Sequence, residues 1–223
     1  MDKNSDQTTG KRQPELLENV RLLKNATVRM EVDGKVVYFD PYSIDEPAGD
    51  ADVIFITHTH YDHFSLEDIR KLVKEDTALV ITVDGEADAA KAGISNIKII
   101  APDEASSVAG IEFRTVPAYN PKKRFHPKEK GWVGYIISAG DAKYYIAGDT
   151  DYIPEMKDIK ADVVFLPVGG TYTMNSTEAA KAANTINPTI AVPIHYADVV
   201  GIVQDAQDFI QGLNPSIIGV LLK

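Results

Sequence analysis

The chain has 223 residues, with 23 basic and 33 acidic side chains for a net charge of −10, five histidines and no cysteine. That length buries roughly 70–75% of the unfolded surface, so no covalent staple is needed to fold. The missing cysteine excludes disulfides, thiolate metal sites, iron–sulfur clusters and a cysteine nucleophile, and the acidic balance argues against a broad nucleic-acid surface.

Residues 1–15 read as a disordered tail, since Asn4 to Gly10 offer nothing to bury. They lack a signal-peptide apolar core, and no later run reaches 18 apolar residues, so the expected location is the cytoplasm. A leader already cleaved would leave the same N-terminus. Residues 16–223 read as one domain.

Thr27–Val32 and Lys35–Phe39 predict a hairpin around Asp33-Gly34, closed by Asp40-Pro41. Val53–Ile56 is a short buried strand. Ser65 to Val73 is a helix with Ser65 as N-cap and Asp68 in the capping-box position. Strands Ala78–Val83 and Ile97–Ile100 flank a helix over Asp84–Ala92. Strands follow at Ile111–Val116, Trp132–Ser138 and Lys143–Ala147, the last two joined by Ala139-Gly140-Asp141. Val163–Pro167 is a strand and Ser176–Ile186 a helix capped by Ser176. Thr189–Ile194, the helix Gly201–Gln211 and a strand Ile217–Leu222 complete the chain. Continuous Val/Ile runs imply sheets covered on both faces, hence an α/β (α+β) four-layer αββα sandwich. Ala51–Ile56 and Ala161–Leu166 echo each other, as two related halves meeting at a cleft would.

Thr57-His58-Thr59-His60-Tyr61-Asp62-His63 places three of the five histidines and a carboxylate within six residues, after a buried strand. Alternate side chains share a direction there, so His58 and His60 can aim at one ion while Asp62 and His63 aim at a neighbouring position. Imidazole and carboxylate suit zinc, and also manganese or iron. A lone histidine would read as part of a polar turn; three so close together read as a metal site. Asp149 in Gly148-Asp149-Thr150 and His195 in Ile194-His195-Tyr196 follow other strands, and strand ends can converge on one cleft.

These residues resemble the metallo-β-lactamase superfamily, whose pattern is H-x-H-x-D-H, a later histidine, a bridging aspartate in a Gly-Asp turn and a final histidine. His58, His60, Asp62, His63, Asp149 and His195 match in kind and order, and Tyr145 to Asp151 looks like the strand entering the bridging aspartate. The likeness spans about residues 16–222 and is greatest to small metal-dependent hydrolases akin to the ascorbate-6-phosphate lactonase and phospholipase D branches. Those carry Val-Pro before the third histidine, as Val116-Pro117 stands here. The chain departs from the pattern next: Asn120 occupies the expected position and His126 comes six residues later. Either His126 supplies that ligand from a longer loop, or Asn120 faces the metal weakly or through water and His126 binds substrate or packs.

The resemblance implies two divalent ions, with zinc first and manganese or iron as alternatives. His58, His60 and His126 would hold one, Asp62, His63 and His195 the other, with Asp149 bridging. Asp62 and Asp149 would serve catalysis, and the metal-bound hydroxide would cleave an ester, lactone or phosphodiester. Lys122, Lys123, Arg124 and Lys128 make one loop basic, which suggests a small anionic substrate. Asn120, Lys123, Arg124, Tyr172 and Tyr196 are the candidate substrate contacts, against ordinary packing for the tyrosines. The expected partner is a small molecule, without nucleic acid or membrane. The alternatives are a nuclease-type phosphodiesterase and a non-catalytic metal- or ligand-binding protein.

Overall fold

The computed structural model describes residues 15–222; the tail expected over residues 1–14 and the final residue lie outside them. Two sheets face each other. The first runs in chain order through β1 (Val20–Lys24), β2 (Thr27–Val32), β3 (Lys35–Phe39), β4 (Ala51–Phe55), β5 (Val73–Thr82) and β6 (Asn96–Ile100). The second holds β7 (Ala105–Val108), β8 (Ile111–Pro117), β9 (Val133–Ala139), β10 (Ala142–Ile146), β11 (Val163–Pro167), β12 (Ile190–Ile194) and β13 (Ile218–Gly219). Each starts as an antiparallel meander and turns parallel, from β3 onward in the first and from β10 onward in the second.

The inner faces meet in an aromatic core. Phe55 stacks on Phe39 at 5.1 Å and meets Tyr135 at 4.9 Å and Phe113 edge-on at 5.2 Å. Tyr135 is fully buried, so its hydroxyl needs a partner; it donates to the Ile56 carbonyl at 2.7 Å. That bond ties the second sheet to the backbone just before the histidine run. Helix α1 (Leu66–Leu72) and the short α2 (Glu86–Ala89) cover the outside of the first sheet, and α3 (Ser176–Ile186) and α4 (Val203–Gln211) cover the second. This is the expected αββα layering. The echoing segments fall in opposite sheets, as β4 and the start of β11, with Phe55 and Phe165 both in the core.

Several expected boundaries shift. Asn175, not Ser176, caps α3: its side chain accepts from the Glu178 amide at 2.9 Å and Glu178 returns the contact at 3.2 Å. Ser65 does cap α1, but the buried Asp68 carboxylate accepts the amides of Ser43 and Ile44 at 2.8 and 2.9 Å. The helix expected over Asp84–Ala92 breaks into two 3₁₀ turns around α2, ending at Gly93 in a left-handed conformation. The final strand spans only Ile218–Gly219, and α4 begins at Val203 after the Gly201 turn. Edge strands β1 and β7 were not expected; β7, Ala-Ser-Ser-Val, has no apolar run to announce it. Among the described residues no helix is long and apolar enough to cross a membrane.

Candidate metal centre

The parallel strands point their C-terminal ends at one cleft, where open α/β sheets commonly place ligands. The loop after β4 carries His58 to His63; the loop after β8 carries Asn120 and His126; the turn after β10 carries Asp149; the loop after β12 carries His195. Gly148 sits at φ +64°, and a Cβ there would come within 2.8 Å of the Thr57 Cβ. Only glycine lets the Asp149 turn pack so closely on the histidine loop.

Two groups of donors form. In the first, His58 Nε2 and His126 Nε2 lie 3.1 and 3.2 Å from His60 Nδ1, and Asp149 Oδ2 lies 3.3 Å from His126 Nε2. Metal–nitrogen bonds of about 2.0–2.1 Å put tetrahedral ligands about 3.3 Å apart. In the second, Asp62 Oδ2 is 3.2 Å from His195 Nε2 and 3.6 Å from His63 Nε2. Asp149 lies between the groups, with Oδ1 3.2 Å from His63 Nε2 and Oδ2 3.4 Å from His195 Nε2.

Hydrogen bonds behind the rings set their tautomers. Thr57 Oγ1 donates to Asp40 Oδ2 at 2.7 Å, so it accepts from His58 Nδ1 at 3.0 Å. Asn120 Oδ1 accepts the His126 backbone amide at 3.0 Å and faces His126 Nδ1 at 2.9 Å. Asp40 Oδ2 takes His63 Nδ1 at 2.8 Å. At His58 and His126 this puts the proton on Nδ1 and turns a bare Nε2 lone pair to the cluster, while His63 Nε2, facing the cluster between Asp40 and Asp149, would give up its proton to a cation.

The electrostatics favour a positive charge at the same point. Burial, with His63, His126 and His60 nearby, drives the His58 pKa well below its usual value against the pull of Asp149. Burial and His126 likewise lower His60. Burial opposes charge on His63, yet Asp149 and Asp40 flank it and raise its pKa well above the ordinary range. Asp149 is held well below the carboxylate range despite burial, by His195, His63 and hydrogen bonds from His126 and His63. Buried carboxylates that draw a proton between them suit a cation there. His63 Nε2 and Asp149 Oδ1 are buried without a well-formed hydrogen bond, an arrangement that stands in native proteins only with a reason such as an ion. The donor set therefore fits divalent metal.

All seven residues expected as ligands meet in this cluster. His126, not Asn120, stands beside His58 and His60; Asn120 is behind it, donating to the Tyr172 carbonyl at 3.0 Å. The other expected substrate contacts divide. Tyr172 borders a cavity of about 260 Å³ over the cluster, floored by His60, Asp62, His126 and Asp149. Its remaining walls are Tyr61, Phe125 and Val199. Lys123 instead binds Asp151 Oδ1 at 2.7 Å and the carbonyls of Gly170 and Thr173, using all three donors to tie two loops together. Arg124 is exposed and lies over the Phe125 ring, outside the cavity lining. Lys128 pairs with Glu155 at 3.0 Å, and Tyr196 packs against the core under α3 and α4. Two of the loop's four cations, Lys123 and Lys128, are thus paired with acidic residues of another loop, while Lys122 and Arg124 are exposed. A larger groove, about 850 Å³, lies at the opposite strand ends beside Tyr144, Asp162 and Pro215 and contains none of the cluster.

Sequence reasoning missed three supports. Asp40, used only as a strand stop, is a fully buried carboxylate that also accepts the Thr57 amide at 2.8 Å. Its signal was a charged residue ending an apolar strand beside the motif strand. Asn25, in the β1–β2 turn, donates to Asp62 Oδ2 at 3.2 Å while its carbonyl accepts from the His195 amide at 2.9 Å. Trp132 stands 5.0, 4.9 and 5.5 Å from the rings of His58, His60 and His126, anchored by its indole N–H on Asp84 at 2.8 Å.

The profile of the β-lactamase superfamily domain matches residues 19–195. A UPF0173 metal-dependent hydrolase of Methanopyrus kandleri is 32% identical over 84% of this chain and 87% of its own length. Its counterpart in Geobacillus thermodenitrificans is 31% identical over 86% and 92%. Among solved structures, Igni18, a metallo hydrolase of Ignicoccus hospitalis, superposes with a TM-score of 0.76 at 23% identity, covering 92% of this chain and 94% of that one.

Proposed function

The chain belongs to the β-lactamase superfamily, among its UPF0173 metal-dependent hydrolases, and from that premise we propose that it cleaves an ester, lactone or phosphodiester bond in a small molecule using water and two divalent ions, zinc first among them. The observation that carries this reading is the convergence of ring nitrogens on two adjacent points with Asp149 between them. A divalent ion held there would supply a Lewis acid and bring the pKa of a bound water down to about 7.

The protein's own groups do the rest. Thr57, Asn120 and Asp40 fix the rings of His58, His126 and His63, so little reorganisation remains when the substrate binds. Asp62 Oδ2 borders the cavity floor and, anchored by Asn25, is placed to orient the attacking water or pass a proton to the leaving group. Trp132 and the buried second group exclude bulk water from behind.

The test is hydrolysis of a lactone, aryl ester and phosphodiester panel by zinc- or manganese-loaded protein, wild type against Asp62→Ala. The reading expects turnover of at least one class, lost in the variant together with metal at the second group. Full metal occupancy with no turnover of any class would instead make the chain a binding protein.

A further inference from the structure

The cavity over the cluster differs in character from its floor. The walls are Tyr61, Phe125, Tyr172 and Val199, with no lysine or arginine among them. Phe125 and Tyr172 stand edge to face at 4.8 Å, and Tyr61 is held edge-on by Tyr42 at 5.9 Å. Asn120 takes hold of the Tyr172 backbone, so the ring's position is coupled to that of His126. Of the nearby cations, Lys123 is committed to Asp151 and two carbonyls and Lys128 to Glu155, while exposed Arg124 lies over the Phe125 ring outside the lining. An anionic group held among these walls would find no counter-ion in the lining, in a chain of net charge −10.

We infer that this cavity selects an uncharged substrate bearing a planar apolar group, a phenyl ring or its like, held between Phe125, Tyr172 and Tyr61 beside the bond to be cleaved. The inference rests on the hydrolase reading for the word substrate and on the walls alone for the binding preference. Rings of this size gain from burial and from edge-to-face contact with aromatic neighbours. Offset pairs of that kind need side-chain rings, not the Tyr172 hydroxyl, so Phe at that position should serve equally well.

Two measurements on the metal-loaded full chain separate the inference from the reading beneath it. The first is the ratio of kcat/KM for γ-phenyl-γ-butyrolactone over unsubstituted γ-butyrolactone, expected to be about tenfold or more. That ratio should collapse toward one in Tyr172→Ala and Phe125→Ala and persist in Tyr172→Phe, while a lactone with a carboxylate in place of the phenyl falls below the unsubstituted one. The second is fluorine NMR of para-fluorobenzyl alcohol, which reports the cavity whether or not any bond is cleaved. Wild type and Tyr172→Phe should bind it, and the two alanine variants several-fold more weakly. If no lactone, aryl ester or phosphodiester is turned over but the alcohol binds as described, the hydrolase reading fails and the cavity assignment stands. Equal ratios in wild type and alanine variants, a preference for the carboxylated lactone, or alcohol binding indifferent to all three substitutions would overturn the inference.

Discussion

The two donor groups share Asp149 yet are built differently. The first, His58, His60 and His126, opens on the cavity through His60, which is only partly buried. The second, Asp62, His63 and His195, has every member buried, reaches the cavity only through Asp62, and is braced from below by Asp40 and Asn25. Closed ligand sets go with structural metals and open ones with catalysis. The contrast assigns exchange with substrate and solvent to the first group and the firmer hold to the second.

The strongest way to break the contrast is to remove what the groups share. Asp149→Ala should strip metal from both and lower kcat/KM by on the order of a thousandfold, several kcal/mol of transition-state stabilisation, measured by metal analysis and steady-state kinetics. Next is Asp40→Ala, which releases His63 directly and His58 only through Thr57, so it should weaken metal at the second group by about 10- to 100-fold and at the first by less. Chelator titration followed by metal analysis reads both. Asn120→Ala does the reverse: it frees His126, so the first group should lose about tenfold in affinity and the second nothing. Trp132, the chain's one tryptophan, lies beside the first group and none of the second, so its fluorescence should follow only the first ion. The smallest effect is Asn25→Ala. Losing one charge-assisted bond to Asp62 should cost about 1 kcal/mol, roughly fivefold at the second group, in the same titration.

Each group joins a pair from the histidine motif to a distant histidine, and the near and distant members differ in how far the sequence reveals them. His58, His60, Asp62 and His63 sit so close along the chain that the motif declares itself. Asp149 and His195 are single residues at strand ends, legible only because a resemblance supplied their order. His126 stayed undecided because loop length alone does not say which of two polar residues turns inward; the backbone pairing of the Asn120 amide with the His126 carbonyl at 2.7 Å makes that choice. Asp40 acts through hydrogen bonds to residues 17 and 23 positions away and the Asn25 side chain through one 37 positions away, and no periodicity carries that information. The layers were readable from Val/Ile runs, whereas edge strands such as β7 form by pairing with a neighbour rather than by burial. The basic loop was legible only in part for a related reason: a lysine's charge is visible in sequence, but its partner, Asp151 for Lys123, is fixed only by folding.

The measurement that bears most directly on the account is the number of zinc ions held per chain by wild type and by His126→Ala, after saturation and removal of excess metal. The account predicts two in wild type and one in the variant, with Trp132 fluorescence no longer responding to zinc. No bound metal in wild type, or two ions retained in His126→Ala, would contradict it.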